Sequence, residues 1–271
     1  MTLISVQDYV DLPAVAADAT YAYGDDPNQV VDLYLPQGAG LHPVIVLVHG
    51  GCWGEKYSAK PLGGIARDLT EAGFAVWNIE YRRNGNGGGY PQTLLDVGQA
   101  ADLLRTVVAE HSLDLSRVVT MGHSAGGQLA LWLAARSRLP ATSPLYNPNP
   151  LAVRGVVCLA GVIDLVDAAA KGHCGDGLTS FMGGTPEQVP DHYQSASPKE
   201  LVPLGVRQIH IIGELDELLS NVRSYIEAAQ TAGDDAQLMI IPQADHFELV
   251  VATTAAWTTV REAAITLAGP Q

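Results

Sequence analysis

At 271 residues the chain is long enough for one large α/β domain that buries most of its apolar surface. Its 15 Lys+Arg against 29 Asp+Glu leave a formal charge of −14, which repels phosphate backbones and anionic membrane surfaces and so excludes nucleic acid as the expected partner. A 47% hydrophobic composition with 28 glycines and 16 prolines suits a packed core with many tight turns rather than disorder.

The N-terminus, MTLISVQDYVDL, has no basic stretch leading into a long apolar core, and nowhere do about 18 apolar residues run together. Neither an export segment nor membrane insertion is expected. Cys52, Cys158 and Cys174 cannot all pair and show no C-x-x-C spacing, which argues against a disulfide scaffold or a structural zinc. The expectation is a reduced, cytoplasmic protein.

Residues 1–20 read as an entry segment or short helix lying over the fold. Tyr21 to Leu35 gives two alternating runs around a turn at Asp25-Asp26-Pro27-Asn28, the pattern of an antiparallel edge hairpin. Pro43 to Val48 is a continuous β-branched run, as in a strand covered on both faces, and it ends at His49-Gly50-Gly51-Cys52-Trp53-Gly54. Lys60 to Ala72 reads as a helix stopped by Gly73, Phe74 to Ile79 as a buried strand, and Gln92 to Glu110 as a long amphipathic helix. The glycine-dense loop Tyr81 to Pro91 lies at a strand C-terminus, where open α/β sheets place their ligands.

The run beginning at Arg117 then stops at Gly122-His123-Ser124-Ala125-Gly126, and a helical pattern opens at Gln128. Glycines on both sides of a serine mark a sharp strand-to-helix turn with no room for a Cβ at those places, which forces Ser124 into a strained conformation at the strand tip. Being at a helix start, it has the free amide of Ala125 beside it, a donor for an oxyanion. Gly155 to Ala160 is the next strand. Asp164 to Pro203 is glycine-rich, with short helical patterns opening at Thr185-Pro186-Glu187 and Ser197-Pro198-Lys199-Glu200, and reads as a small irregular cap inserted after a strand. Val206 to Ile212 and Gln237 to Ile241 are the last strands, with helices over Leu218 to Thr231 and Thr253 to Leu267.

Parallel strands with helical crossovers bring their C-termini to one edge. Three such ends carry chemistry. Ser124 follows one, Gly213-Glu214-Leu215-Asp216-Glu217 a second, and Ala244-Asp245-His246 a third. A serine hydroxyl is a poor nucleophile until an imidazole takes its proton, and the imidazole needs a buried carboxylate to hold one tautomer. His246 is the expected base and Asp216 the expected acid, with Glu214, Glu217 and Asp245 as rivals. The amides of Gly51 and Cys52 complete a three-donor oxyanion hole with Ala125, and His49 fixes their turn. His42, His111, His123, His173 and His210 read as structural. A bulky thiol reagent at Cys52 is expected to inhibit.

The chain resembles the α/β-hydrolase superfamily, in particular the hormone-sensitive-lipase-like esterases with their H-G-G-G turn. It is nearer still to the small bacterial esterase and arylformamidase (kynurenine formamidase) group, whose motif is H-G-G-x-W. The resemblance runs from Val30 to His246 through His49-Gly50-Gly51-Cys52-Trp53, Gly122-His123-Ser124-Ala125-Gly126-Gly127, Asp216 and His246. It implies a single domain over residues 1–271, a mostly parallel eight-stranded sheet with helices on both faces, and the cap at about residues 164–203. It also implies a serine carboxylesterase, or alternatively an arylformamidase, that cleaves a small-molecule ester or formamide substrate without metal or organic cofactor. A non-catalytic ligand-binding protein on this fold is the remaining reading. Trp53, Phe181 and Met182 are candidates for the substrate pocket or, as is commoner for such side chains, for the core, and Cys52, in place of a third glycine, narrows the pocket. Oligomeric state is not readable from these residues, and a homodimer stays open.

Overall fold

A computed structural model describes residues 3–269. Eight strands form one sheet in the order β1-β2-β4-β3-β5-β6-β7-β8: β1 (Ala19–Ala22), β2 (Val30–Tyr34), β3 (His42–Val48), β4 (Ala75–Ile79), β5 (Leu113–His123), β6 (Gly155–Leu159), β7 (Arg207–Gly213) and β8 (Ala236–Ile241). β1 and β2 are the antiparallel edge, and from β4 onward every neighbouring pair is parallel. The central strands β4 and β6 are buried at every position, whereas β8 at the far edge alternates. That difference follows from helices covering both faces of the centre and only one face of the rim.

Helix α1 (Val6–Val10) is capped by Ser5, whose hydroxyl and Asp8 carboxylate bond each other's amides. The expected helix after β3 is a short 3₁₀ turn running into α2 (Gly63–Glu71). The long helix before β5 is divided into α3 (Gln92–Asp102) and α4 (Leu104–Val107), where Thr106 N bonds Leu103 O at 2.9 Å in a tighter turn. α5 (Ala125–Ala135) is buried along its whole length, which is why its sequence carries no amphipathic stripe.

The segment over 164–203 is more helical than its composition suggested. It holds α6 (Leu165–Lys171), α7 (Asp176–Met182) and α8 (Pro190–Ala196), followed by a 3₁₀ turn at Pro198–Leu201. The glycines that read as loop are helix terminators: Gly172 and Gly183 take left-handed φ values of 74° and 78° at the C-caps of α6 and α7. The expected helix at Thr185 is only a turn, and α8 begins at Pro190. α9 (Leu219–Thr231) and α10 (Ala255–Ala268) complete the layers. No helix among the described residues is long and apolar enough to cross a membrane.

Candidate active site

Ser124 stands between β5 and α5 with φ 56° and ψ −120°, a conformation that L-residues adopt only under constraint and that costs about 1–3 kcal/mol. The constraint comes from its glycine neighbours. A Cβ on Gly122 would overlap the Gly126 carbonyl, and one on Gly126 would overlap the carbonyls of Val48 and His49. The elbow is thus wedged against the end of β3, and Gly50 packs where a Cβ would lie 2.6 Å from His123 O and 3.0 Å from the Ser124 Cβ. Close approach of two backbones brings the His-Gly-Gly turn beside the serine.

That turn is held from behind. The His49 ring stacks on Tyr81 at 4.3 Å, and the Tyr81 hydroxyl donates to His49 O at 2.7 Å. His49 contacts Gly50 O through Nδ1 at 2.8 Å and Glu80 through Nε2 at 3.0 Å, while Glu80 accepts from the Ala59 amide and pairs with Arg83. Burial, with a smaller push from the Arg83 guanidinium, takes the His49 imidazole down to about 3. His49 is therefore uncharged, locked in the turn and remote in role from a base. Gly51, Cys52 and Trp53 follow with φ of 111°, 49° and 54°. The amides of Gly51, Cys52 and Ala125 have no hydrogen-bond partner among the described residues.

On the opposite side, His246 Nδ1 lies 2.7 Å from Asp216 Oδ2. Asp216 is 4% exposed, and its other oxygen accepts the Leu218 amide at 2.8 Å, so the carboxylate cannot rotate away. The rival acids do not reach that ring. Glu214 accepts the Gln243 amide, the Glu217 side chain is 80% exposed and sits 3.7 Å from His173, and the Asp245 amide donates to Glu248. Burial, then the Asp216 charge, raises the Asp245 carboxyl above its ordinary value. Ser124, Asp216 and His246 all line one cavity of about 430 Å³, with Cys52, Cys174, His173, Val162 and Phe247 among its walls.

Two placements differ from the expectations. Trp53, Phe181 and Met182 do not line this cavity: all three are fully buried, the Trp53 and Phe181 rings stacked at 4.5 Å beneath the turn and the Trp53 Nε1 donating to Gln128 Oε1 at 3.2 Å. They are the packing that supports the site. Cys52 and Cys174 form a disulfide, which corrects the expectation of unpaired cysteines; their Cα atoms are 5.4 Å apart although 122 residues separate them in sequence. The sulfur of Cys52 is consequently not a free thiol, and the basis for inhibition by a thiol reagent falls away. Cys158 is free and buried, its thiol pushed up to about 12 by burial.

His123, structural by its sequence context, contacts the expected base. Its Nε2 bonds the carbonyl of His246 at 2.9 Å, and the two rings lie 4.5 Å apart. Burial, then the neighbouring His246, pushes the His123 imidazole well below the ordinary histidine range, so a neutral ring donates from Nε2. The loop is also pinned by Phe247 stacking on Tyr9 of α1 at 5.1 Å and by Glu248, which accepts the amides of Ile4 and Asp245.

Burial likewise takes His210, inside β7, down to about 3. Since His49, His123 and His210 have folded values depressed below 6.5, the contribution of each to stability is full above that pH and is lost as pH falls through its folded value. His49 and His210 are each expected to take up nearly one proton on unfolding at pH 5 that is not taken up at pH 8, together a slope of about 2.7 kcal/mol per pH unit, with His123 adding in the same direction. Urea melts across that range, compared with a His210→Gln variant that loses one proton from the slope, check it.

The fold has counterparts among known proteins. The family model BD-FAE matches residues 31–227, from β2 through most of α9. This chain belongs to the BD-FAE family. The BD-FAE match includes the His-Gly-Gly turn, the elbow and Asp216 but stops before His246. A probable isoprenylcysteine alpha-carbonyl methylesterase (ICMEL1) of Arabidopsis thaliana is 35% identical over 111 residues, 40% of this chain and 22% of that protein. Esterase LipC of Mycobacterium tuberculosis is 26% identical over 243 residues, 84% of this chain and 59% of that protein. The chain thus spans only part of these curated relatives. Among solved structures, a truncated carbohydrate esterase from gut microbiota superposes with a TM-score of 0.79 at 20% identity, over 96% of this chain and 100% of that one. This likeness shows the α/β-hydrolase fold.

Proposed function

We propose that this BD-FAE-family chain is a serine hydrolase that cleaves small carboxylic esters through an acyl-enzyme on Ser124. The observation that carries the reading is the Asp216–His246 bond at 2.7 Å, opening onto the same cavity as a serine held at positive φ. With Nδ1–H engaged by Asp216, the ring presents its Nε2 lone pair, the tautomer a general base requires. His246 takes the Ser124 proton as the hydroxyl attacks the ester carbonyl, and the amides of Gly51, Cys52 and Ala125 stabilise the oxyanion. His246 then protonates the leaving alcohol and activates the water that clears the acyl group. The cavity carries Glu217 and Asp245 on its walls, which disfavours anionic substrates. The names of the relatives, a methylesterase and an esterase, support ester hydrolysis.

The test is labelling of Ser124 by a fluorophosphonate together with turnover of short p-nitrophenyl esters, measured beside N-formylkynurenine. Faster turnover of the formamide would favour the arylformamidase reading, whose support here is the Cys52-Trp53 pair of the turn. No labelling and no turnover would leave a ligand-binding protein. The disulfide favours an oxidising setting over the reduced cytoplasm, because such bridges persist where glutathione does not reduce them.

His123 enters this scheme as a positioning residue. His123→Phe keeps the ring volume and removes the donor to the His246 carbonyl, so kcat on a short ester is expected to fall about tenfold with KM nearly constant, as small misplacements of a base do. An unchanged kcat would remove His123 from the mechanism.

A further inference from the structure

The disulfide lies inside the site, not at the margin of the fold. We infer that the Cys52–Cys174 bridge is a working part of the reaction centre, holding the Gly51 and Cys52 amides in register with Ser124, and that Cys174 is a positioning residue for the oxyanion site. The inference rests on the ester-hydrolase reading above.

Both bridged residues line the cavity that contains Ser124 and His246. Cys52 is one of two consecutive non-glycine residues at left-handed φ in the turn, at 49° with Trp53 at 54°. Such a conformation persists only where the surroundings over-determine it. Trp53 has its own anchors, the stack on Phe181 and the bond to Gln128. The turn is closed by Gly54 N bonding Gly51 O at 2.9 Å, which constrains its two ends. Between those fixed points, the covalent bond to Cys174 is what holds the Cys52 side chain. Without it, Cys52 can rotate toward negative φ, and because Trp53 is fixed downstream the rotation swings the Gly51–Cys52 peptide plane. The Cys52 amide on that plane is one of the three oxyanion donors.

The other end of the bridge is a hydrogen-bonded turn, in which Cys174 also takes a left-handed φ of 64°, Gly175 N bonds Gly172 O at 3.0 Å and Gly177 N bonds Cys174 O at 3.0 Å. Cys174 lies between α6 and α7, and α7 is bolted to the rest of the chain by Asn84 Nδ2 donating to Gly177 O at 2.9 Å and by Tyr90 N donating to Phe181 O at 2.6 Å. A Cβ on Gly177 would lie 3.1 Å from Cys52 O, so the start of α7 already packs against the turn. The bridge therefore ties the glycine turn to a second turn whose backbone is held by its own hydrogen bonds and by the anchored α7. A disulfide that only cross-linked the unfolded chain would change the melting temperature and leave turnover of the folded enzyme untouched.

The experiment measures kcat and KM for p-nitrophenyl butyrate on the full chain, well below its melting temperature. It compares the wild type, Cys174→Ala, the double variant Cys52→Ala/Cys174→Ala, and the wild type treated with dithiothreitol until two additional thiols titrate. In that reduction one reductant thiolate attacks a bridge sulfur and releases the other cysteine as a thiol. The second reductant thiolate displaces the remaining cysteine and leaves as a cyclic disulfide. The expected result is a fall in kcat of about 10- to 100-fold with KM nearly unchanged in all three bridge-free forms, less than the ~10²–10³ lost when a donor is removed outright. Cys174→Ala should show no further response to reductant. If either the folded variants or the reduced wild type turn over at the wild-type kcat, the proposal is overturned. Failure of the underlying reading looks different: the oxidised wild type would then neither hydrolyse the ester nor take a fluorophosphonate.

Discussion

Ser124→Ala is expected to lower kcat on a short ester by about 10⁶-fold while the chain still folds, the size of loss seen when a serine nucleophile is deleted and only binding and the oxyanion donors remain. The hydroxyl makes no capping bond to α5, so nothing structural depends on it. What the position does carry is strain, at φ 56° and ψ −120°. Ser124→Gly should therefore be equally inactive yet unfold at a higher temperature than Ser124→Ala, because glycine occupies this region freely. Paired activity and melting measurements on the two variants separate the roles: an active Ser124→Ala ends the acyl-enzyme scheme, and a Ser124→Gly that melts no higher ends the strain argument.

Asp216→Asn is expected to reduce kcat by about 10⁴-fold. The asparagine amide group would donate to His246 Nδ1 where the carboxylate now accepts from it at 2.7 Å, which moves the ring proton to Nε2 and removes the lone pair that takes the Ser124 proton. Buried geometry is preserved, since the remaining oxygen can keep the Leu218 amide at 2.8 Å. Glu214→Gln, on an exposed side chain whose partner is the Gln243 amide, should leave kcat within about twofold, as surface substitutions usually do. A reversal of the two results would reassign the acid.

These predictions rest on features that differ in how far the chain announces them. The elbow is legible because local sterics alone require it: carbonyl oxygens occupy the space a side chain would need at Gly122 and Gly126, so glycine is obligatory on both sides of Ser124. The order of serine, acid and histidine is legible because parallel strands end on one edge, and each of the three residues follows such an end. Spacing alone leaves Asp216, Glu214, Glu217 and Asp245 as rivals along their loops, and it is the fold that sets Asp216 against His246 at 2.7 Å.

The cap was harder to read. Its glycines end α6 and α7 at left-handed C-caps but in sequence look the same as loop glycines. The fate of Trp53, Phe181 and Met182 is equally hidden, because a large apolar side chain near such a turn can line the cavity or pack under it, and which occurs depends on how the cap sits down.

What the amino-acid order determined by itself is whatever short-range sterics and strand periodicity control: the alternation of strands and helices, the elbow, the glycine turn and the set of residues gathered at the sheet edge. What only the tertiary structure decided is every pairing between distant segments. Cys52 meets Cys174 across 122 residues, His123 meets the His246 carbonyl, and Tyr9 meets Phe247, each through the packing of elements whose contact surfaces belong to the folded whole. Local pattern constrains the backbone of a segment. It carries no record of which other segment will lie against it.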